Sequence, residues 1–373
     1  MTICQIDHWK EMGIHIIFEE MPFSQVCMVL LNFQCSMRDI HDLKDGRYVN
    51  FYRLFSKTDS LFHDDDITDM IISNCDSNYD LQQLLIVTKE LEYILSLHPR
   101  TRITCAIQIP PSKSPPDPVN LTPYHTILYP SFPSNRMLGL FHPNILMIRF
   151  SDRLRIVFSS AFIHVWDWEE LTHWIWMQDF FIKPNQPTAM KRLDKEFRCD
   201  LIEFLIACQY PEDRVFRILK DVCFENVSVR MVTSLPGRVS FHEGERYGHL
   251  RLRTITKDLN DYYEIMTNHP IRKVKPIIYQ AGGIGHLKKH FIEELVSSCN
   301  GGMRVDGDIN ELIQIPYPSK EYVSDSIIYH EPANLCHYDK NYHEGVVLLT
   351  CLRPYIPTKG RERSLSRSHF GMV

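Results

Sequence analysis

The stretch that decides the fold is residues 139–168, GLFHPNILMIRFSDRLRIVFSSAFIHVWDW. Ile145–Phe150 and Leu154–Ser159 are rich in Ile, Val, Leu and Phe, the composition of strands packed in a sheet. Ser151-Asp152-Arg153 lies between them, a polar turn that makes the pair a hairpin. His142 stands just before the first strand, and the small and polar Ser159-Ser160-Ala161 closes the second. An imidazole able to act as a nucleophile is thereby set at the mouth of a sheet.

Working outward, strand and helix signals alternate. Upstream, Asp80–His98 carries Leu81, Leu84, Leu85, Leu91, Ile94 and Leu95 at mostly helical spacing, and Pro99 stops it. Arg102–Ile109 alternates as a strand, and the proline-rich Pro110–Pro118 cannot join a central sheet. Downstream, Trp166–Phe181 holds four of the five tryptophans. Such a segment can stack on bases, although core packing is the commoner use of tryptophan. Lys195–Cys208 is an amphipathic helix, Val227–Thr233 and Lys275–Tyr279 read as strands, and Gly282-Gly283-Ile284-Gly285 feeds a helix at His286–Val296. A glycine turn entering a helix can cradle phosphate, but this one matches no nucleotide fingerprint. Strands interleaved with helices in this way describe an α/β chain.

The bulk composition bounds the partners. The 373 residues are 44% hydrophobic and 23% charged, enough for two domains with real cores. A net charge of −5 gives no global attraction to nucleic acid or an anionic membrane. Residues 186–290 run the other way, with 18 Lys/Arg against 13 Asp/Glu, so a polyanion is best accommodated there. Eleven cysteines are scattered without a C-x-x-C pair, mostly inside apolar runs, as expected of buried thiols in a reducing, intracellular setting. His63 beside Asp64-Asp65-Asp66 is a solvated acidic segment rather than a metal site, because consecutive carboxylates point in different directions. No metal or other cofactor is expected. The longest early apolar run, Met28–Phe33, is far too short to span a bilayer, so no membrane association is expected either.

Several pieces then fall in one order. The hairpin is followed by Asp167-Trp168 and Ile175-Trp176. Phe197-Arg198-Cys199-Asp200-Leu201-Ile202 resembles F-K-A-D-L-I, and Ser234-Leu235-Pro236-Gly237-Arg238 resembles S-T-P-G-R. Tyr247-Gly248-His249-Leu250-Arg251-Leu252 resembles W-G-H-F-R-L, and Tyr317-Pro318-Ser319 matches Y-P-S. Collinear over about residues 50–319, this pattern resembles tyrosyl-DNA phosphodiesterase, of the phospholipase D superfamily. The resemblance implies a phospholipase D-like α/β fold of two similar mixed-sheet halves with flanking helices. The halves would be residues 50–212 and 213–373, the second incomplete, with residues 1–49 an extension of unknown role.

The resemblance also implies a chemistry. One histidine attacks the phosphorus at a DNA 3′ end, and the second protonates the leaving tyrosyl oxygen and then activates water. Lysines and asparagines hold the phosphoryl oxygens as charge develops. His142 falls on the first histidine; it reads either as a surviving nucleophile or as a histidine held at the strand end by packing. Asn144 falls on the lysine that follows, Phe162 on the asparagine and Leu138 on the aromatic that stacks on DNA. The candidate for the second histidine is His369, in Ser368-His369-Phe370-Gly371, with Gly371 on its lysine. Asn144, Ser234, Arg238, His249, Arg251 and Arg253 are the candidate phosphate and DNA contacts. Each lost oxyanion donor lowers a rate by about 10²–10³, so the expectation is an impaired phosphodiesterase of a DNA-repair family. It would bind DNA 3′ ends, single-stranded DNA or a protein partner, the alternative being an active phosphodiesterase that forms a phosphohistidine at His142, with a nuclear location implied by the resemblance.

Overall fold

The computed structural model describes residues 2–4, 16–18, 54–55, 67–74, 96, 100–107, 117–130, 143–159, 175–183, 192–227, 229–236, 241–269, 274–279, 289–318 and 352–355. The chain forms two compact units. The first is Cys35–Ser228; the second joins Met1–Gln34 to Val229–Val373. Two short N-terminal strands, β1 (Thr2–Cys4) and β2 (Ile16–Phe18), belong to the second unit.

The first unit is built on seven strands: β3 (Ile67–Asn74), β4 (Arg102–Ile107), β5 (Val119–Asn120), β6 (His125–Leu128), β7 (Ile145–Phe150), β8 (Arg153–Ser159) and β9 (Ile175–Phe181). They lie in the order β5-β6-β4-β3-β7-β8-β9. β3, β4 and β6 are parallel, whereas β7, β8 and β9 run antiparallel in turn. The sheet is apolar because both its faces are covered: every residue of β8 is buried, as are five of the six in β7. The expected hairpin is present with one change. Arg149 pairs with Leu154, so the turn is Ser151-Asp152 and Arg153 starts the strand. Its guanidinium escapes water by lying 4.1 Å from the centre of the Phe150 ring and pairing with Asp152 and Asp179.

Helix α1 (Arg192–Ala207) covers β8 and β9 through an aromatic cluster. Phe158 stacks on Trp176 at 5.2 Å, and Phe180, Phe197 and Phe224 meet at 4.8–5.9 Å. Trp176 is therefore core, as its spacing with Phe180 on one face of β9 requires. After α1 the chain turns at Gln209, in the left-handed region at φ 65°, and enters α2 (Glu212–Ile218). Arg149 closes that helix by donating to the carbonyls of Ile218 and Lys220, both at 2.8 Å.

In the second unit a 3-10 turn at Phe241–Arg246 leads to α3 (Gly248–Thr267), then β10 (Ile277–Tyr279), α4 (Lys289–Cys299), α5 (Ile309–Leu312), β11 (Ile313–Pro318) and β12 (Leu352–Tyr355). The sheet order is β12-β11-β10-β1-β2, parallel across β10, β11 and β12 and antiparallel where β1 meets β10. The strand expected at Val227–Thr233 is not one. Residues 229–235 join no ladder, with Val229, Met231 and Val232 buried. Their apolarity reflects core packing rather than pairing. Gly301 (φ +71°) lets α3 and the end of α4 close up, since a Cβ there would sit 3.0 Å from the Lys257 backbone. Nearly all of the helix expected at Asp80–His98, the proline segment and the glycine turn at 282–285 lie outside the described residues.

Candidate functional site

The topology of the first unit points to one end of its sheet. From β3 the chain builds outward through β4 and β6, then crosses back to place β7 on the other side of β3. In open α/β sheets the crevice at the carboxyl ends of the parallel strands, where the order reverses, is the usual ligand position. Here Ser73, next to the last residue of β3, meets Pro143 and Asn144 at the entrance to β7.

Ser73 clamps that entrance. Its hydroxyl donates to the Pro143 carbonyl and accepts from the Ile145 N–H at 3.0 Å, bridging the residues on either side of Asn144. The Asn144 carbonyl accepts from the Ser159 N–H at 3.3 Å. Its backbone is thus fixed by β3 and β8. The side chain is not satisfied: Asn144 is 5% exposed, and neither Oδ1 nor Nδ2 has a hydrogen-bond partner. A buried polar atom normally has one, so two on one residue need an explanation.

The described side chains around this end of the sheet are neutral. Tyr210 donates to the Ile72 carbonyl at 2.8 Å, and burial pushes its phenol well above the usual range. Burial likewise pushes the Cys105 thiol up to about 12 and the Cys208 thiol well up. The charges of the sheet gather at its other end. Arg155 makes a two-pronged contact with Asp179 at 2.7 and 2.9 Å, and Arg102 pairs with Asp69 at 3.1 Å. Five residues of strand, about 16 Å, separate Asn144 from Arg149 in that group.

Four other candidate residues among those described belong to the second unit, and three of them gather at the start of α3. The Gly248 N–H donates to the Thr233 carbonyl at 2.7 Å, and a Cβ on Gly248 would lie 3.4 Å from Ser234 Oγ. Ser234, His249 and Arg251 therefore surround the first turn of the helix. His249 and Arg253 converge on Ser298 of α4. Arg253 Nε donates to Ser298 Oγ at 3.3 Å, and Ser298 Oγ lies 3.0 Å from His249 Nδ1. Arginine can only donate, so Ser298 Oγ accepts from Arg253, and the direction of its bond with His249 Nδ1 follows the tautomer of the ring. Burial lowers the pKa of His249, Glu294 raises it and Arg253 lowers it, a balance that favours the neutral ring. Arg253 also pairs with Glu294 at 3.5 Å. These two residues brace α3 against α4 as well as lining the basic segment.

His142, His369, Arg238, Phe162 and Leu138 lie outside the described residues. Ser73, Tyr210 and Ser298 were not singled out from the sequence. Each acts through a partner some 50 to 140 residues away, and nothing local marks them. Among the described residues no group of three or more His, Cys, Asp or Glu could hold a metal ion, and no helix is long and apolar enough to cross a membrane.

A protein-family model described as Tyrosyl-DNA phosphodiesterase matches residues 68–369. Tyrosyl-DNA phosphodiesterase 1 of Arabidopsis thaliana is 28% identical over 183 residues, which is 45% of this chain and 28% of that protein. The matched part therefore spans little more than a quarter of this relative. The crystal structure of the yeast tyrosyl-DNA phosphodiesterase superposes with a TM-score of 0.56 at 15% identity, over 86% of this chain and 75% of the yeast chain. A histidine-to-asparagine mutant of the yeast enzyme gives 0.58 at 14% identity, over 91% and 78%. At these identities the solved structures speak to the fold, which is phospholipase D-like.

Proposed function

The chain belongs to the tyrosyl-DNA phosphodiesterase family, and from that premise we propose that it engages DNA 3′ ends as a catalytically impaired member. The observation that carries this reading is Asn144. At the position where the family resemblance puts a lysine, the chain has a neutral amide, buried and without a partner, among neutral neighbours. An ammonium there would stabilise the charge that builds on phosphoryl oxygens; an amide supplies one hydrogen bond and no charge. Losing such a group lowers a rate by about 10²–10³. Binding depends less on it, because phosphate contacts can also come from Ser234, Arg238, His249, Arg251 and Arg253 in the basic segment. Affinity of that origin falls steeply with salt.

The test compares binding with turnover. Purified protein is titrated with short single-stranded DNA at low and moderate salt, and then given an oligonucleotide carrying a 3′-phosphotyrosine. Salt-sensitive binding with negligible turnover is the expected result. Absence of binding at low salt sinks the DNA-end reading. Nuclear residence is part of the same proposal, and imaging of a tagged chain checks it.

A second reading has one specific observation in its favour: Asn144 Nδ2 is an unused donor on a residue two positions along the chain from His142. On that reading the chain is an active phosphodiesterase, with His142 forming a phosphohistidine and His369 serving the leaving group. Turnover that His142→Ala abolishes would establish it and displace the first reading.

A further inference from the structure

We propose that Asn144 makes this site selective for a singly protonated phosphomonoester over a phosphodiester or a fully ionised terminal phosphate. The inference rests on the DNA-end reading and names the end chemistry. It follows from what an orphaned amide can bond. Both polar atoms of Asn144 are buried and unpaired, so a matching ligand offers an acceptor to Nδ2 and a donor to Oδ1 together. Rotating the amide by 180° only exchanges the two. A phosphomonoester bearing one proton has a P–OH beside ionised oxygens and meets both atoms at once. A diester, whether internal or at a phosphotyrosyl end, has only acceptors at any pH near neutral. It would satisfy Nδ2 and press a negatively charged oxygen toward Oδ1. A dianionic terminal phosphate does the same with twice the charge.

The charge distribution of the first unit points the same way. Desolvating a dianion is repaid only by opposite charge. Of the charged and titratable side chains on the described strands, Asp69 and Arg102 on β3 and β4, His125 on β6, Arg149 on β7, Arg153 and Arg155 on β8 and Asp179 on β9 stand toward the opposite end of the sheet, and α1 adds Asp194, Lys195, Glu196, Arg198, Asp200 and Glu203 over β8 and β9. At the Asn144 end are Ser73, Ser159, Cys105, Cys208 and Tyr210, together with the exposed Glu212 and Asp213 in the first turn of α2. No cation on the described strands stands there to receive a second negative charge. The amide atoms are closed to solvent, so access requires neighbouring side chains to part, and association should be slow.

The second ionisation of a phosphomonoester falls near pH 6, which sets the experiment. Fluorescence anisotropy compares one short single-stranded oligonucleotide with a 3′-phosphate or a 3′-hydroxyl end, at pH 5.5 and pH 8.0 and constant ionic strength. The expected preference for the phosphate end is about tenfold at pH 5.5, the worth of one added buried hydrogen bond, and falls toward unity at pH 8.0. Asn144→Leu abolishes the preference at both pH values, and Asn144→Lys restores it at pH 8.0 by supplying charge. Should Asn144→Leu fail to give a native circular dichroism spectrum, Asn144→Ser replaces it. A preference that grows with pH, or one that survives removal of the amide, overturns the inference. Thymidine 3′-monophosphate and inorganic phosphate, titrated calorimetrically into the same proteins, separate the two readings. If no oligonucleotide binds but the mononucleotide does, with the same dependence on pH and on Asn144, the DNA-end reading fails and the monoester inference stands. If neither small phosphate nor the phosphate end depends on Asn144, the inference fails.

Discussion

Replacing Asn144 by leucine should stabilise the first unit. The reasoning starts from two polar atoms that gave up water on folding and received nothing in return. Each such atom costs about 1–3 kcal/mol. Leucine is close to asparagine in size, removes both orphans, and places apolar atoms where the native residue is 5% exposed. Against this stands imperfect fit, which for a swap of similar volume is worth less than about 1.5 kcal/mol. The net expectation is a gain of about 1–3 kcal/mol, or about 2–4 °C in Tm for each kcal/mol in a unit of this size. Tryptophan fluorescence in a urea titration reads this unit well, because Trp166, Trp168, Trp174 and Trp176 are in it and only Trp9 is not. A midpoint shifted upward with an unchanged slope is the expected outcome. A loss of more than about 1 kcal/mol would mean that the amide is satisfied in the native protein, and both the orphan argument and the ligand inference would go with it. Stability withheld at one residue, and recovered when its chemistry is removed, is how binding residues behave.

Three further outcomes are expected. Asp179→Ala strips Arg153 and Arg155, whose side chains are 5% and 8% exposed, of their shared carboxylate; denaturant unfolding should show a loss of about 3 kcal/mol, the low end for a buried pair because Asp179 itself is 30% exposed. The second unit should lose stability as pH falls below about 6.5, since burial holds the folded His249 below its ordinary value and only the unfolded chain gains the proton readily; unfolding measured at pH 7.5 and 5 checks the sign, and His249→Gln should flatten the difference. In the folded protein iodoacetamide should modify the exposed Cys199 and spare Cys105 and Cys208, whose thiols burial keeps protonated; mass spectrometry of the labelled peptides reads this directly.

Much of the architecture was legible from residue types. The hairpin at 145–159 announces itself because both strands are buried on two faces and so read as apolar runs. α1 shows its 3.6-residue period because one face packs on aromatics and the other meets water. Errors came where a residue's environment contradicts its type. Arg153 looks like turn and is strand, since Asp179 and the Phe150 ring make burial tolerable. Val227–Thr233 reads as a strand, yet residues 229–235 join no sheet ladder, their apolar members serving the core. α3 carries no clear helical period in its sequence, because Tyr262, Ile265 and Met266 remain exposed and blur its apolar stripe.

The sequence by itself determined the family, through short motifs kept in order, and with it the α/β fold; that Asn144 falls on the lysine position is what the resemblance implies. It also shows that residue 144 is a neutral asparagine, on which the proposal of impaired catalysis rests. That its amide is sealed in with no partner could be decided only by the tertiary structure. So could the grip of Ser73 from 70 residues away, and the segregation of every charge in the sheet to the far end. Strand and helix signals are local and survive in the order of residues. A hydrogen bond that is missing is a property of everything that could have come near and did not, and only the folded chain defines that set.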